Sequence, residues 1–248
     1  MRSCLPGNTA LQRMVRRASL ALGALACIAP PALIAQTVSP PIAEYQERAR
    51  SSFQLINSTI FPLSVVLEVH GFNVTEQGEV QEAPLDTTKV RVKLSAMSFR
   101  IPPRQTYTVF YEASADSTPA WFNIVSAMTG ARTENGLNVR ILLPHVVYLN
   151  QKEPLRKEQV VVRAYEVDTA AGKLRVQLEN LGPNLGRVQQ VTALAGKTTS
   201  TPSAGFPLMP HMIRWTEVDW PERVAPERVS VRFARFTMDT VLAAPASP

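Results

Sequence analysis

The sequence predicts an all-β protein built from two sandwich domains. Apolar residues recur with a period of two in short runs separated by Gly, Pro, Asn and Ser, which is the pattern of strands and turns. No segment before Leu149 shows the 3.6-residue period of an amphipathic helix. About seven such runs lie in the first part of the chain and about five in the second. Strands of this number and spacing favour sandwiches.

Residues 1–35 have the organisation of a secretion signal. Four arginines precede an apolar stretch at 18–29, and small residues precede a predicted cleavage site after Ala35. A transmembrane span is the alternative, but no apolar stretch of about 18 residues avoids the Pro30-Pro31 pair. A lipoprotein cysteine at Cys27 is a second alternative, which the apolar residues after Cys27 disfavour. We therefore expect an exported protein.

Removal of this leader changes the charge and the cysteine content. The leader holds four of the 26 Lys and Arg residues, so 22 remain against 20 Asp and Glu, and the net charge falls from +6 to +2. A net charge this small gives little reason to expect nucleic acid or an anionic membrane as partner. Cys4 and Cys27 both lie in the leader, so the mature chain has no disulfide, thiol nucleophile or cysteine-based metal site.

The first predicted domain covers residues 36–150. A proline-rich segment at 38–42 and a polar segment at 44–50 precede the first clear strand, and residues 73–88 are polar enough for a long loop. Pro102 and Pro103 end one strand and allow the next to begin. The predicted strands lie at 53–56, 63–69, 90–97, 99–101, 106–112, 121–126 and 137–148.

The second predicted domain covers residues 159–241. The charged segment 151–158, interrupted by Pro154, is typical of a linker, and residues 242–248 are expected to be a disordered tail. Between them, the predicted strands lie at 160–167, 174–178, 188–194, 212–220 and 228–236. We find no internal repeat of fixed period.

The segment 135–149 has the most unusual pattern in the chain. Asn135-Gly136 is a strong hairpin-turn dipeptide, and a long alternating apolar strand follows it. Pro144 lies inside this strand, and proline is tolerated mainly at sheet edges or bulges, because it lacks a ladder donor. A long apolar edge strand is an aggregation hazard unless it is paired. Either the chain covers this edge itself, or the edge pairs with a partner.

Motifs of catalysis and cofactor binding are absent from the sequence. There is no G-x-S-x-G elbow, and Gly196-Lys197-Thr198 lacks the upstream glycine of a P-loop, because Val191 occupies that position. His70, His145 and His211 share no metal-binding spacing, and each is more commonly an ordinary polar residue. We therefore expect no enzyme activity, no cofactor and no metal.

The order of these features resembles the periplasmic pilus (fimbrial) chaperones. The matching motifs are Phe99-x-Ile101-x-Pro103, the aromatic run at 120–124, the alternating strand at 137–143, Val176-x-Leu178-x-Asn180, the run Phe206-Pro207-Leu208-Met209-Pro210, and Trp215. The resemblance implies two immunoglobulin-like β-sandwich domains set at an angle, located in the periplasm. It also implies a function in pilus assembly that needs neither ATP nor a cofactor.

In that family the chaperone binds pilus subunits, whose immunoglobulin-like fold lacks a strand, and delivers them to an outer-membrane usher. The last strand of the first domain fills the gap by β-strand addition. Here the resemblance assigns the inserted side chains to Leu137, Val139, Ile141 and Leu143. Their burial would contribute about 1.5–3 kcal/mol each, before the costs of association. In the alternative interpretation, these four residues face the domain's own core.

The sequence departs from the family at the site that binds the carboxyl terminus of the subunit. The arginine and lysine that hold this carboxylate in the family fall near Glu44 and Val146 here. The candidates to replace them are Arg48, Arg50, Arg140 and Lys152, each of which is otherwise a solvated surface charge. This departure indicates a divergent member.

Two other functions stay open at the level of sequence. One is a secreted two-domain interaction or adhesion module of the cell envelope without chaperone activity. The other is a β-sandwich hydrolase without a recognisable motif. Self-association through the exposed edge strand is a further expectation from the resemblance.

Overall fold

A computed structural model describes residues 36–132, 138–222 and 224–242. This part of the chain is made of strands, with one 3₁₀ turn at Lys157–Gln159. It holds no helix that is long and apolar enough to cross a membrane. The strands are β1 (Thr37–Ser39), β2 (Ile42–Gln46), β3 (Arg48–Ile56), β4 (Leu63–Val74), β5 (Val80–Ala83), β6 (Val90–Leu94), β7 (Ser98–Ile101), β8 (Thr106–Ala115), β9 (Ala120–Arg132), β10 (Asn138–Asn150), β11 (Val160–Asp168), β12 (Lys173–Asn180), β13 (Gly186–Ala195), β14 (Thr198–Thr199), β15 (Phe206–Leu208), β16 (Ile213–Asp219), β17 (Arg228–Phe233) and β18 (Thr237–Val241).

Strands β1–β10 form the first sandwich. One sheet has the order β1-β3-β8-β6, and the other has the order β2-β10-β9-β4-β5, with β7 also paired to β4. Alternate residues of each strand point between the sheets, which explains the period-two pattern of the sequence. The core they form includes Phe53, Leu55, Leu63, Leu67, Ile101, Val109, Tyr111, Phe122, Ile124, Met128, Val147 and Leu149.

The beginning of the described chain takes part in both sheets of this sandwich. Strand β1 pairs antiparallel with β3, and β2 then pairs parallel with β10. The crossing between the two sheets occurs at Pro40 and Pro41. Two prolines suit this crossing because they have no N–H to place in either ladder.

Strands β11–β18 form the second sandwich. Its sheets have the orders β11-β12-β16 and β14-β13-β17-β18, with β15 paired to β13. Trp220 is fully buried in its core, and the indole N–H donates to the carbonyl of Val224 at 2.8 Å. The remaining core residues are mostly aliphatic and include Leu174, Val176, Leu178, Val188, Val191, Leu208, Val229 and Val231. The all-β fold of two sandwiches predicted from the sequence is confirmed.

Several short strands were not predicted. The segments read as a proline-rich and polar start and as a long loop contain β1, β2 and β5, and the second sandwich gains β14, β15 and β18. These strands span two to five residues, too few for a visible alternation. Two boundaries also differ. Leu155 of the predicted linker and Leu242 of the predicted tail are both buried against the second core.

An equivalent buried asparagine occurs in each sandwich. The Nδ2 group of Asn57 donates to the carbonyls of Phe61, Ile101 and Pro102 at 2.8–3.1 Å. The Nδ2 group of Asn180 donates in the same way to Asn184, Leu208 and Met209. Each Oδ1 accepts from the backbone N–H two residues later. Each asparagine therefore holds a strand end to a proline-containing segment that comes later in the chain.

The two sandwiches meet through a small apolar cluster. Phe72 and Tyr148 of the first sandwich contact Leu185 and Met209 of the second, and all four are buried. The connection between β4 and β5 also reaches the second sandwich, where the carbonyl of Glu76 accepts a hydrogen bond from the N–H of Trp215 at 2.6 Å. We call this cluster the junction.

Candidate functional site: the free edge of β10

Strand β10 is covered on both sides for only part of its length. Strand β9 pairs with it from Asn138 to Leu149, but β2 pairs only with residues 146–150. None of the described strands pairs with residues 138–145 on the side away from β9. We call residues 138–145 the free edge. The chain therefore covers the second half of this strand and leaves the first half open.

The position of Pro144 fits this arrangement. The N–H of Val146 donates to the carbonyl of Pro41, on the side of β2. Alternate residues of a strand direct their backbone groups to the same side, so the nitrogen of Pro144 faces the free edge. No bond to β9 is lost there, which agrees with the edge position predicted from the proline.

The inward side chains of β10 become steadily more buried along the strand. Val139 is 36% exposed, Ile141 and Leu143 are partly buried against the first core, and Val147 and Leu149 are fully buried. Leu137 lies outside the described residues. Ile141 and Leu143 therefore face the domain's own core, which covers them incompletely. Their insertion into a pilus subunit stays a prediction.

A second apolar row, which the sequence did not predict, lies beside the free edge. Leu142 on β10 lies opposite Ala127 on β9, which lies opposite Val66 on β4. Cross-strand neighbours share one face of the sheet. Leu142 is 55% exposed and Val66 is 48% exposed. A strand added to the free edge would thus meet apolar side chains on both faces of the sheet.

A bulge lies near the start of the free edge. Between Val139 and Ile141, the partner strand β9 has one additional residue, and Gly130 lies in this irregularity with φ of +99°. A Cβ atom at Gly130 would lie 2.9 Å from the carbonyl oxygen of Pro62. Glycine is needed here for both reasons.

The four cations proposed from the sequence do not converge. Arg48 and Arg50 belong to β3 in the opposite sheet, and the Nε atom of Arg50 lies 3.3 Å from Glu112. Arg140 lies on the free edge, 4.0 Å from Glu68, and Lys152 follows the other end of β10, with its Nζ atom 3.4 Å from Glu47. The ten residue steps from Arg140 to Asn150, at the end of β10, span about 33 Å. One carboxylate cannot contact both ends.

Two arginines lie at the junction, and no pattern in the sequence predicted either of them as a site residue. Arg187 of the second sandwich pairs with Glu44, and its guanidinium carbon lies 5.2 Å from the ring centroid of Tyr148. Arg214 donates to the carbonyl of Pro207 and lies 4.3 Å from the ring centroid of Phe206. Burial raises the pKa of Tyr148, and the charge of Arg187 opposes this effect.

No family model matches this sequence, and no curated protein matches it either. Solved structures do match. A structure of the chaperone–tip adhesin complex of CFA/I fimbriae aligns with a TM-score of 0.51 at 6% identity, over 84% of this chain and 98% of that chain. The chain has the fold of a fimbrial chaperone.

Other structures with this chaperone fold align with lower scores. The SafB chaperone in complex with the SafA pilin, from Salmonella enterica, aligns with a TM-score of 0.47 at 14% identity, over 85% of this chain and 97% of that chain. The CupB2 chaperone of Pseudomonas aeruginosa aligns with a TM-score of 0.44 at 13% identity, over 83% and 100% of the two chains.

The geometry of this chaperone fold supports binding. Within the described ranges, no group of three or more His, Cys, Asp and Glu side chains could hold a metal ion. What the site offers to a partner is a row of unpaired backbone groups flanked by partly exposed apolar side chains. That combination suits the addition of a β-strand.

Proposed function

We propose that this protein is a chaperone that binds pilus or fimbrial subunits by donating the free edge of β10. The observation that carries this proposal is the half-covered strand: residues 146–150 lie between β2 and β9, whereas residues 138–145 have β9 alone. Because the covered half of β10 stays paired with β2 and β9, its open half can extend the sheet into another protein without detaching β10 from its own domain.

Side chains on the free edge supply the specificity of this interaction. Val139 and Leu142 expose enough surface to enter pockets of a partner, while Ile141 and Leu143 have only part of their surface left to bury. The gain per side chain is therefore below the full 1.5–3 kcal/mol of a complete transfer. An affinity limited in this way suits a protein that must later release its subunit.

The proposed partners and location come from the leader and the structural relatives. Two of the aligned structures are chaperones in complex with a tip adhesin or a pilin. Together with the leader predicted at residues 1–35, this supports subunit binding in the periplasm and delivery to an outer-membrane usher. We take residues 36–150 as the first domain of the chaperone and residues 159–241 as the second, on whose core Leu155 and Leu242 also pack.

We further propose that Lys152 binds the terminal carboxylate of the subunit. Lys152 lines a cavity of about 200 Å³ at the junction, together with Arg187 and Glu44. Arg187 neutralises Glu44, so this carboxylate repels an incoming anion less than the sequence alone indicates. The Nη2 atom of Arg187 is buried and has no hydrogen-bond partner among the described residues.

The test is recovery of the tagged mature protein from the envelope of its own cells, followed by mass spectrometry of bound proteins. Val139→Glu is the informative variant, because Val139 is exposed. A substitution of Ile141, which contacts the core, would also lower the stability of the fold. Val241→Glu, on the exposed edge strand β18, is the matched control. We expect a small exported β-rich protein that is lost with Val139→Glu and kept with Val241→Glu.

Other outcomes would overturn the proposal. A protein recovered alone would exclude stable capture of a subunit. Recovery with a finished surface structure, unaffected by Val139→Glu, would favour an interaction or adhesion module. Recovery with only a second copy of itself would make the free edge a surface for self-association.

A further inference from the structure

His145 lies where β10 passes from its free part to its covered part. It is the last residue of the free edge, and the next residue, Val146, makes the hydrogen bond to Pro41 that begins the cover by β2. Unlike the exposed start of this edge, the side chain of His145 is fully buried. This burial was not expected from the sequence, in which His145 has the character of an ordinary polar residue.

The imidazole ring connects β10 to three other elements. Its Nδ1 atom lies 2.7 Å from the carbonyl oxygen of Pro40, at the crossing between β1 and β2. Its Nε2 atom lies 3.1 Å from the hydroxyl of Tyr111 on β8, and this hydroxyl lies 3.1 Å from that of Tyr45 on β2. The ring also stacks on Phe53 of β3, with centroids 4.5 Å apart.

These partners determine where the proton of the neutral ring lies. A carbonyl oxygen can only accept, so Nδ1 carries the hydrogen and donates to Pro40. Nε2 is then an acceptor, and it competes with the hydroxyl oxygen of Tyr45 for the single hydrogen of the Tyr111 hydroxyl. The neutral ring thus keeps its bond to Pro40 without placing a charge in the core.

A second proton on the ring changes this network. Nε2 becomes a donor, so Tyr111 must turn its hydrogen towards Tyr45. The groups that face His145 directly or through Tyr111 are the carbonyl of Pro40, Phe53, Tyr111, Tyr45 and Ser51, and none of them is a carboxylate. Burial lowers the pKa of His145, and the bond to Pro40 opposes this effect in part.

We propose that His145 is a positioning residue that holds β2 against β10 at the point where the free edge begins, and that its protonation loosens β2. The consequence for subunit binding rests on the function proposed above. In acid the free edge would no longer be presented in a fixed register, and binding would weaken before the second sandwich is affected.

Hydrogen–deuterium exchange of the mature protein tests this without any partner. Exchange is measured at about pH 7.5 and about pH 5.5, the range over which histidine changes charge, and corrected for the intrinsic pH dependence. We expect amides of β2 and of residues 146–150 to exchange at least about tenfold faster in acid, the factor that one pKa unit represents. Strand β18, at an edge of the second sandwich, is the internal reference and should not change.

Two variants assign the effect to this histidine. His145→Gln keeps an amide that can donate to Pro40 but cannot take up a proton, so the acid-dependent exchange of β2 should disappear. His70→Gln is the matched control, because His70 is a partly exposed histidine of the same sandwich, 3.2 Å from Glu68. It should leave the acid response unchanged.

The proposal is overturned if β2 of the wild-type protein exchanges equally at both pH values, or if β2 and β18 respond alike. It is also overturned if His145→Gln retains the full response. If that variant does not fold, the comparison of β2 with β18 in the wild type still decides whether there is an acid response. NMR titration of the three histidine rings then decides whether the ring of His145 takes up a proton over the same pH range. Because the exchange experiment needs no subunit, its failure would leave the proposed function unaffected. A failure of the capture experiment would likewise leave the exchange result unaffected.

Discussion

The two sandwiches share one device and differ in another. Each holds a strand end with a buried asparagine, Asn57 in the first and Asn180 in the second, whose amide donates to three backbone carbonyls. Their edges differ. The edge strands of the second sandwich include β14, β18, β16 and β11, which have two, five, seven and nine residues, whereas β10 of the first has thirteen and is half open.

This difference separates the residues that maintain the fold from those that offer a binding surface. Short or charged edges limit unwanted pairing. The second sandwich follows that rule, because β14 and β18 are short and the longer β11 carries Arg163, Glu166 and Asp168. The free edge of the first sandwich differs, because Val139 and Leu142 expose apolar surface on the two faces of the sheet. This difference is the reason for proposing that the edge itself has a partner.

The largest expected effect is a loss of subunit binding on substitution at the free edge of β10, compared with the same substitution at the edge strand β18. Val139→Glu would bring an unpaired charge into the contact with a subunit, which typically costs several kcal/mol. We expect capture to weaken about 1000-fold, a change of about 4 kcal/mol in binding free energy. The measurement is the dissociation constant of the isolated complex, with the melting temperature of the free protein as the check on folding. An equal loss with Val241→Glu would contradict a specific role for the free edge.

The next effect compares the two buried asparagines. Asn57→Ala and Asn180→Ala each remove an amide that donates to three buried or partly buried carbonyls, so the free energy of unfolding should fall by about 2–3 kcal/mol in each variant. The carbonyl of Phe61 keeps a bond from the hydroxyl of Thr59. Denaturant unfolding measures this, and Asn73→Ala, at an exposed position of β4, is the control. A loss below about 0.5 kcal/mol, the range of ordinary surface substitutions, would show that water replaces the amide.

A smaller expected effect is a loss of stability in acid that depends on His145 of the first sandwich. The pKa of His145 is lowered in the folded state, so the unfolded chain binds the proton more readily. Its contribution to stability is complete above the unfolded pKa of about 6.5 and is lost as the pH falls towards the folded value. Urea unfolding at several pH values should show this loss in the wild type and a flatter profile in His145→Gln. A parallel profile would exclude this histidine as the cause.

The smallest effect concerns the junction. Lys152 is mostly exposed, so its ion pairs contribute about 0.2–1 kcal/mol each. Lys152→Ala should weaken capture about two- to fivefold, and Arg48→Ala, on the opposite sheet, should have no effect. The ratio of the two dissociation constants is the measurement. Equal values for both variants would remove Lys152 as the carboxylate anchor.

The long strands could be predicted from the sequence, and the short ones could not. Strands β4, β8 and β10 have at least ten residues, so several successive alternate residues face the core and produce a visible period of two. Strand β2 has five residues after two prolines, and its parallel pairing with β10 joins residues about a hundred positions apart. Local patterns carry no information about such a partner.

The candidate site also has one part that could be predicted from the sequence and one part that could not. The free edge was predictable, because Pro144 and the alternating residues before it mark an edge strand by their own chemistry. The row of Val66 and Leu142 was not, because it forms only when β4, β9 and β10 lie side by side. The pairing of Glu44 with Arg187 joins the two sandwiches across 143 residues of sequence.

By itself, the sequence determined that this chain forms two β-sandwiches and that residues around Pro144 lie at an edge, since residue type and period act locally. The tertiary structure decided how much of that edge stays open, because β2 reaches only to Val146. It also decided that His145 is buried beside Pro40, Tyr111 and Phe53, and not exposed like His70. Burial and pairing depend on which distant segments meet, and only the folded chain brings those segments together.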